Sequence, residues 1–456
     1  MINRTEEAAW LRDQLTADKR QVLVIYGRRR VGKTTLVTQI LEELAVPSVY
    51  YLCDHRGTST NVRRFAEECA RVLDDYPPAV DGFTDVFEYL AQRVDGPMVV
   101  ALDEFSYLVD ADNTIPSVFQ RIIDDTVAAS EISLILLGSS ISMMEEGVLS
   151  HESPLYGRRT GQWRLQPLTL GDASDFFPKY DAETVIESYS VVGGIPAYLE
   201  QFDPDVPLFA NIEQRILAKG SFLYEEPEFL LRQELREPGT YLSILEAIAH
   251  GATRVTEIAG EIDRNASTLS RYLKNLTRLE LVDRETPVTD PNARGVYQIT
   301  DHFLRFWFRF VLPNRGSLER GQTATVRDSI KETLADHTSW TFEEVCRQAV
   351  RTSGSPVTCD RVGRWWYGEE EIDVVGLNEN ADTLLLGECK WSAEPVGTGL
   401  LAQLEERAPE VRWHGNERTV QYALFSRSGF TERLSAIARD RNDLFLATPD
   451  DVLALF

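Results

Sequence analysis

Val22-Leu23-Val24-Ile25-Tyr26-Gly27-Arg28-Arg29-Arg30-Val31-Gly32-Lys33-Thr34-Thr35-Leu36-Val37-Thr38 is the stretch that decides how this chain folds. Its apolar first half predicts a buried strand, its glycine-bounded middle a loop, and its end a helix start. Gly27 and Gly32 bracket Arg28, Arg29, Arg30 and Val31, and Lys33-Thr34 follow at once, giving G-x-x-x-x-G-K-T. A loop of this pattern turns its backbone N–H groups around nucleotide phosphates. Lys33 then reaches the terminal phosphates and the Thr34 hydroxyl binds magnesium. The helix that begins near Lys33 and Thr35 adds its positive dipole end to the same site. Glycine suits a backbone that must approach a ligand closely. Apolar Leu36, Val37, Ile40, Leu41 and Leu44 predict that this helix packs on a core. The expected cofactors are ATP and Mg2+, held by residues 27–35.

Pro97-Met98-Val99-Val100-Ala101-Leu102-Asp103-Glu104-Phe105 reads as a second buried strand, ending in two carboxylates. In a parallel sheet such a strand end lies beside the phosphate loop. Asp103 is expected to hold magnesium through water and Glu104 to polarise the attacking water. Ile132-Ser133-Leu134-Ile135-Leu136-Leu137-Gly138-Ser139-Ser140 is a third apolar strand. A polar residue at that place senses the terminal phosphate in ATPases of this architecture. Ser139 or Ser140 is the candidate, and a cap for a helix at Met143-Met144-Glu145 is the alternative. Strands alternate with helices at Thr5–Leu15, Val62–Leu73 and Phe83–Arg93, and Ser48–Leu52 is a further strand. The pattern predicts α/β class with a helix-covered parallel sheet.

The chain has 456 residues, enough for several domains. Its five cysteines form no C-x-x-C pair and its six histidines no ligand cluster, so neither a disulfide framework nor a zinc site is expected. No apolar run is long enough to span a membrane, and the N-terminus is polar, so the cytoplasm is the expected location and no membrane partner is expected. Net charge is −25, and only 7 of the 47 basic residues are lysine. An acidic, lysine-poor chain stays hydrated in concentrated salt, which points to a halophilic source; a basic partner is the alternative. Lys33 and Lys390 are two of those few lysines, and both fall inside motifs.

Two further stretches complete the N-terminal half. Tyr156-Gly157-Arg158-Arg159-Thr160-Gly161 sets two arginines in a glycine-bounded loop, where they would meet phosphate, a neighbouring subunit or solvent. Val192-Gly193-Gly194-Ile195-Pro196 opens a helical lid region. Taken with 26–34, Leu102-Asp103-Glu104-Phe105 and Gly138-Ser139-Ser140, these motifs resemble the archaeal-type ATPase family, an AAA-like, STAND-related branch of the P-loop ATPases. The resemblance covers roughly residues 2–230. It implies that Pro196, in the G-G-x-P turn, lies against the nucleotide base, and that the opening Ile2-Asn3-Arg4-Thr5-Glu6-Glu7 lies near the adenine. STAND-type relatives usually lack an arginine finger from a neighbour, so none is assigned, and assembly into an oligomer stays open.

Residues 238–300 change character. Thr253–Ile262 and Asn265–Leu279 read as two short helices, the second with Ser267 as its cap. Leu269, Tyr272, Leu273, Leu276 and Leu279 form its apolar face, leaving Arg271, Lys274, Asn275 and Arg278 outward. Leu281–Arg284 and Gly295–Ile299 add a two-stranded wing. The segment resembles a winged helix-turn-helix, whose second helix would enter a DNA major groove; use in protein contacts alone is the alternative. From 253 to 284 there are six basic and five acidic residues, net +1. Asp301–Phe310 alternates arginine with aromatic residues and predicts an aromatic helix packing two domains together, with stacking on single-stranded bases as the minor reading.

The C-terminal third carries a second constellation. Thr341–Val350 reads as a helix with Glu343 bordering its apolar face and Glu344 pointing away. Glu370–Leu377 and Thr383–Lys390 read as adjacent strands joined by a turn. Asp373 then lies beside Glu388-Cys389-Lys390, and Glu388 and Lys390 share one face because strand side chains alternate. Two carboxylates, Asp373 and Glu388, can hold a metal on a scissile phosphate, and a lysine can orient or deprotonate water. With Glu343 upstream, the set resembles the restriction-endonuclease-like PD-(D/E)xK fold, although Ile372 stands where the pattern has proline.

The expected organisation is a P-loop ATPase core (1–170), a helical lid (171–236), a winged helix (237–312) and a nuclease-like domain (313–456). The expected function is ATP hydrolysis coupled to DNA binding or cleavage through the winged helix and the C-terminal domain. The alternative is a STAND-type regulatory switch whose C-terminal domain binds protein or nucleic acid without cutting.

Overall fold

The computed structural model describes residues 3–235, 237–414 and 418–456, so Ile2, at the quoted opening, lies outside the described residues. The chain divides into two compact units, Met1–Pro167 and Leu168–Phe456. The first is built on β1 (Val22–Tyr26), β2 (Ser48–Leu52), β3 (Met98–Asp103), β4 (Ile132–Gly138) and β5 (Gly161–Arg164). All pair in parallel in the order β2-β3-β4-β1-β5. β1, β3 and β4 are buried along their whole length. That is why they read as unbroken apolar runs: a strand covered on both faces has no solvent side to carry polar residues. One face packs on Phe65, Phe83, Phe87 and Phe119, the other on Leu11, Leu36, Val37 and Ile40. The order places the C-terminal ends of β1, β3 and β4 side by side, where α/β sheets bind ligands.

The helix predicted from Val62 starts at Thr58. Its first turn, Thr58-Ser59-Thr60, has no apolar residue for periodicity to register. Asn61, wholly buried, fixes the turn by donating to the carbonyls of Asp54 and Gly57.

The second unit joins the lid helices, a helix-turn-helix and a mixed sheet through one continuous core. That core runs from Phe177 and Tyr189 through Trp307 and Phe342 to Val374 and Phe425. Gly194 of the G-G-x-P turn lies against Leu168: the Leu168 N–H donates to its carbonyl, and a Cβ at Gly194 would stand 2.0 Å from the Leu168 oxygen. Pro196 opens the helix Pro196–Leu199. Helices Pro238–Ala249, Val255–Glu261 and Ala266–Arg278 precede the wing strands β6 (Val282–Glu285) and β7 (Val296–Ile299). The loop between them docks on β8 (Arg361–Tyr367), where the Val288 N–H donates to the Arg364 carbonyl at 2.9 Å.

The helix expected at Thr341–Val350 is the last third of a 29-residue helix, Thr323–Arg351. Its first part buries Val326, Ile330, Leu334 and His337 on a narrow stripe between charged residues. It leads to β8, β9 (Glu370–Asn378), β10 (Thr383–Lys390), β11 (Thr419–Ser426) and β12 (Leu444–Ala447). β8, β9 and β10 are antiparallel neighbours, whereas β10, β11 and β12 run parallel. Helices Thr398–Arg407 and Glu432–Asp440 make the two parallel crossovers.

His337 is wholly buried between Phe306 and Phe310, with Nε2 2.9 Å from the Ser190 carbonyl. Burial, reinforced by the Arg305 charge, holds its pKa well below the ordinary imidazole value. The folded state thus binds fewer protons than the unfolded chain, so this contribution to stability is present above the unfolded pKa and is lost as pH falls below it. Wild-type stability is expected to fall by up to about 1.4 kcal/mol per pH unit below about pH 6.5 from this residue. His337→Gln keeps a donor for Ser190 and should flatten that slope; denaturant unfolding at pH 7.5, 6.5 and 5.5 measures it, and equal slopes would refute the assignment.

Candidate functional site

The first site forms where the phosphate loop leaves β1. Gly27 is glycine because the chain after β5 crosses it: a Cβ there would stand 2.3 Å from the Leu165 carbonyl oxygen. The close approach at Gly27 is therefore to the protein's own backbone. Gly32 differs, with φ of 99° as cap of the helix Lys33–Leu44 and open space where a Cβ would project. Arg30 and Glu104 hold positive φ (66° and 53°), a strained conformation for residues other than glycine that clusters at functional sites.

Lys33 is buried, and its Nζ donates to the carbonyls of Gly27 (2.9 Å) and Arg28 (2.8 Å). The Thr34 hydroxyl donates to Asp103 Oδ2 at 2.6 Å, Glu104 N–H donates to Asp103 Oδ1 at 2.8 Å, and the Tyr50 hydroxyl donates to Oδ2. Thr34 and Asp103 thus meet as a hydroxyl and a carboxylate, the donor set that magnesium takes beside nucleotide phosphates. The fit to Mg2+ is good. The Ser139 hydroxyl donates to Glu104 Oε2 at 2.7 Å, and its N–H approaches the same oxygen at 3.2 Å. Ser140 caps Ile141–Met144 through its backbone position alone.

The loop arginines divide. Arg28 is buried, while Arg29 donates to the Tyr107 hydroxyl at 2.8 Å. Arg158 clasps Asp124 through Nε and Nη2 at 2.9 Å each, and Arg159 lies over the Tyr156 ring. Arg4, within the opening stretch, plays a bracing part that its place there did not specify. Its buried guanidinium donates to the carbonyls of Val31, inside the loop (2.9 Å), and Gln166 (2.7 Å).

The second unit presents two features. On the helix Ala266–Arg278 the cap is Asn265, whose Oδ1 accepts from Ser267 N–H, so Ser267 is the capped residue rather than the cap. Leu269, Tyr272, Leu273 and Leu276 are buried. Ser267, Thr268, Ser270, Arg271, Lys274 and Thr277 are exposed. Asn275 turns inward and donates to the Tyr241 hydroxyl at 2.7 Å. The aromatic segment is core: Phe303, Phe306, Trp307 and Phe308 are buried, and Arg305 stacks on Trp340 at 3.8 Å.

The other feature gathers Glu343, Asp373, Glu388 and Lys390. β9 and β10 pair from Thr383↔Asn378 to Gly387↔Val374, which carries Asp373 to the place opposite Glu388. Asp373 Oδ2 accepts from Cys389 N–H at 2.9 Å. Lys390 Nζ and Arg407 Nη1 each reach a Glu388 oxygen at 3.2 Å. Arg347 donates to the Asp373 carbonyl and lies 3.8 Å from Glu343. Burial, then the charge of Asp373, pushes both Glu343 and Glu388 up to about 7. Burial works against the Lys390 ammonium, but Glu388 and Asp373 outweigh it and raise its pKa. A lysine held protonated suits orienting a phosphate or water better than removing a proton. Among the described residues, no three of His, Cys, Asp and Glu are placed to hold a metal together. Glu343 Oε2 is buried without a hydrogen-bond partner. Glu344, expected to point away, pairs with His302 at 3.2 Å.

Three family models match stretches of this chain. Residues 1–202 match a model described as an ATPase domain predominantly from Archaea. Residues 241–286 match an IclR helix-turn-helix domain, and 307–406 a family described as archaeal and bacterial proteins of unknown function. The chain is 35% identical over 396 residues to the uncharacterized protein MJECL04 of Methanocaldococcus jannaschii, spanning 86% of this chain and 87% of that one. It belongs to the archaeal ATPase family. Among solved structures it is similar to the Walker-type ATPase paby2304 of Pyrococcus abyssi, at 21% identity and TM-score 0.48, over 68% of this chain and 96% of that one. It is also similar to the ORC2 protein of Aeropyrum pernix, at 16% identity and TM-score 0.44, over 70% and 95% of the two chains.

Arg4→Ala removes the guanidinium that ties Val31 of the loop to Gln166. ATP affinity is expected to fall about tenfold, the equivalent of one hydrogen bond to a charged group. A fluorescent-nucleotide titration reads this, and wild-type affinity in the variant would remove Arg4 from the site.

Proposed function

We propose that this protein hydrolyses ATP and that its nucleotide state governs how the winged helix, and the C-terminal sheet beyond it, engage DNA. The observation that carries the reading is the 2.6 Å contact of Thr34 with Asp103 at the end of a parallel sheet. Bound Mg2+ would neutralise phosphate charge there. Lys33 and the N–H groups of residues 27–35 orient the phosphates, and Thr34 and Asp103 hold the ion. Glu104 takes a proton from the attacking water once it parts from Ser139, so Ser139 reports on the terminal phosphate. The exposed Arg271 and Lys274 would meet DNA phosphates, since they flank the polar start of the second helix of the helix-turn-helix.

The C-terminal domain fits a magnesium-dependent nuclease. Its helix-then-antiparallel-then-parallel order and the convergence of Glu343, Asp373, Glu388 and Lys390 support that reading. Like charges crowded in a buried site are relieved by a cation, and Asp373 and Glu388 would be its ligands. The regulatory switch remains the second reading. It is favoured by Glu388, whose two oxygens are already engaged by Lys390 and Arg407. The acidic, lysine-poor composition supports a salt-adapted source.

One experiment separates the two. Plasmid and single-stranded DNA are incubated with Mg2+ in concentrated salt, with and without ATP, using wild type and Asp373→Ala. The nuclease reading expects cleavage by wild type and a loss of at least about 100-fold in the variant. Intact ATP hydrolysis with no cleavage by wild type would leave the switch standing.

A further inference from the structure

The carboxylate of Asp103 receives a donor that the nucleotide motifs do not supply. Tyr50 lies on β2, the edge strand next to β3. The register pairs Tyr50 with Ala101 and Leu52 with Asp103, so Tyr50 and Asp103 point to the same side of the sheet, diagonally across the strand pair. There the Tyr50 hydroxyl donates to Asp103 Oδ2, the oxygen that also accepts from Thr34. With Glu104 N–H on Oδ1, the carboxylate carries three donors from three different elements. Asp103 is only 2% exposed, so these donors determine which lone pairs remain to face an ion.

We propose that the Tyr50 hydroxyl is a positioning group for magnesium: it fixes the Asp103 carboxylate so that its remaining lone pair faces an ion held by Thr34. A partner that holds a ligand's carboxylate in orientation sets metal affinity without touching the metal. Tyr51 supplies an internal control. It follows Tyr50 on the same strand, faces the opposite side, and donates to Asn61 Oδ1 at 3.0 Å.

The inference rests on the ATP-binding reading of the first unit, and its test separates the two. Binding of a fluorescent ATP analogue to the full chain is measured across a magnesium titration and again in EDTA. Tyr50→Phe is expected to raise half-saturating magnesium on the order of 10-fold and to leave affinity in EDTA unchanged. Tyr51→Phe is expected to keep the wild-type magnesium midpoint. An unchanged midpoint in Tyr50→Phe overturns the inference. So does an equal loss in EDTA, or an equal shift in Tyr51→Phe, either of which marks a general effect on folding. If wild type itself fails to bind the analogue, the nucleotide reading falls and takes this inference with it, whereas binding without any magnesium dependence overturns this inference alone.

Discussion

A buried carboxylate must be satisfied or it does not stay buried. Asp103 is satisfied by donors from the helix after the phosphate loop, from β2, and from its own chain at Glu104. Those bonds close only if β2, β3 and the loop keep one relative position. β4 lies between β1 and β3, so Thr34 reaches Asp103 across the end of an intervening strand. The sheet order, the strained turn at Glu104 and the burial of Lys33 all serve that single meeting point. The C-terminal sheet solves the opposite problem. There, carboxylates crowd one another, and burial with the charge of Asp373 raises the pKa of Glu343 and Glu388 to about 7.

The parallel sheet was legible because fully covered strands leave continuous apolar runs, and the loop because its spacing is chemically constrained. The pairing of Asp373 with Glu388-x-Lys390 was legible too, since the two strands are joined by a short turn. Partners brought from far along the chain were not. Arg4 reaches Gln166, Tyr50 reaches Asp103, and Arg407 reaches Glu388 with no local pattern to announce them. Side-chain direction also escaped where a polar residue could be satisfied inside. Asn275 looked solvent-facing by helical spacing but found the Tyr241 hydroxyl. The reason for Gly27 was equally hidden, because it lies in a backbone that crosses more than a hundred residues later.

The arginine–aromatic alternation at 301–310 shows how one pattern supports two physical readings. Aromatic rings can stack on bases or fill a core, and arginine can neutralise phosphate or lie flat on indole. Here Trp307 donates its N–H to the Tyr224 carbonyl and Arg305 lies on Trp340, so the segment spends its surface on the protein itself. The unit is thereby welded from lid to C-terminal sheet, and its parts share one interior rather than meeting as separate bodies.

The wing loop also protects an edge strand of the neighbouring sheet. β8 ends its sheet and would otherwise show a row of unpaired backbone groups, a surface prone to sticking to other chains. The bond from Val288 to Arg364, with Val288 seated on Gly363, shields part of that rim. The helix-turn-helix thereby acts as a guard for its neighbour's raw border. A fragment holding the C-terminal sheet alone would shed that guard and bare the β8 rim to other chains.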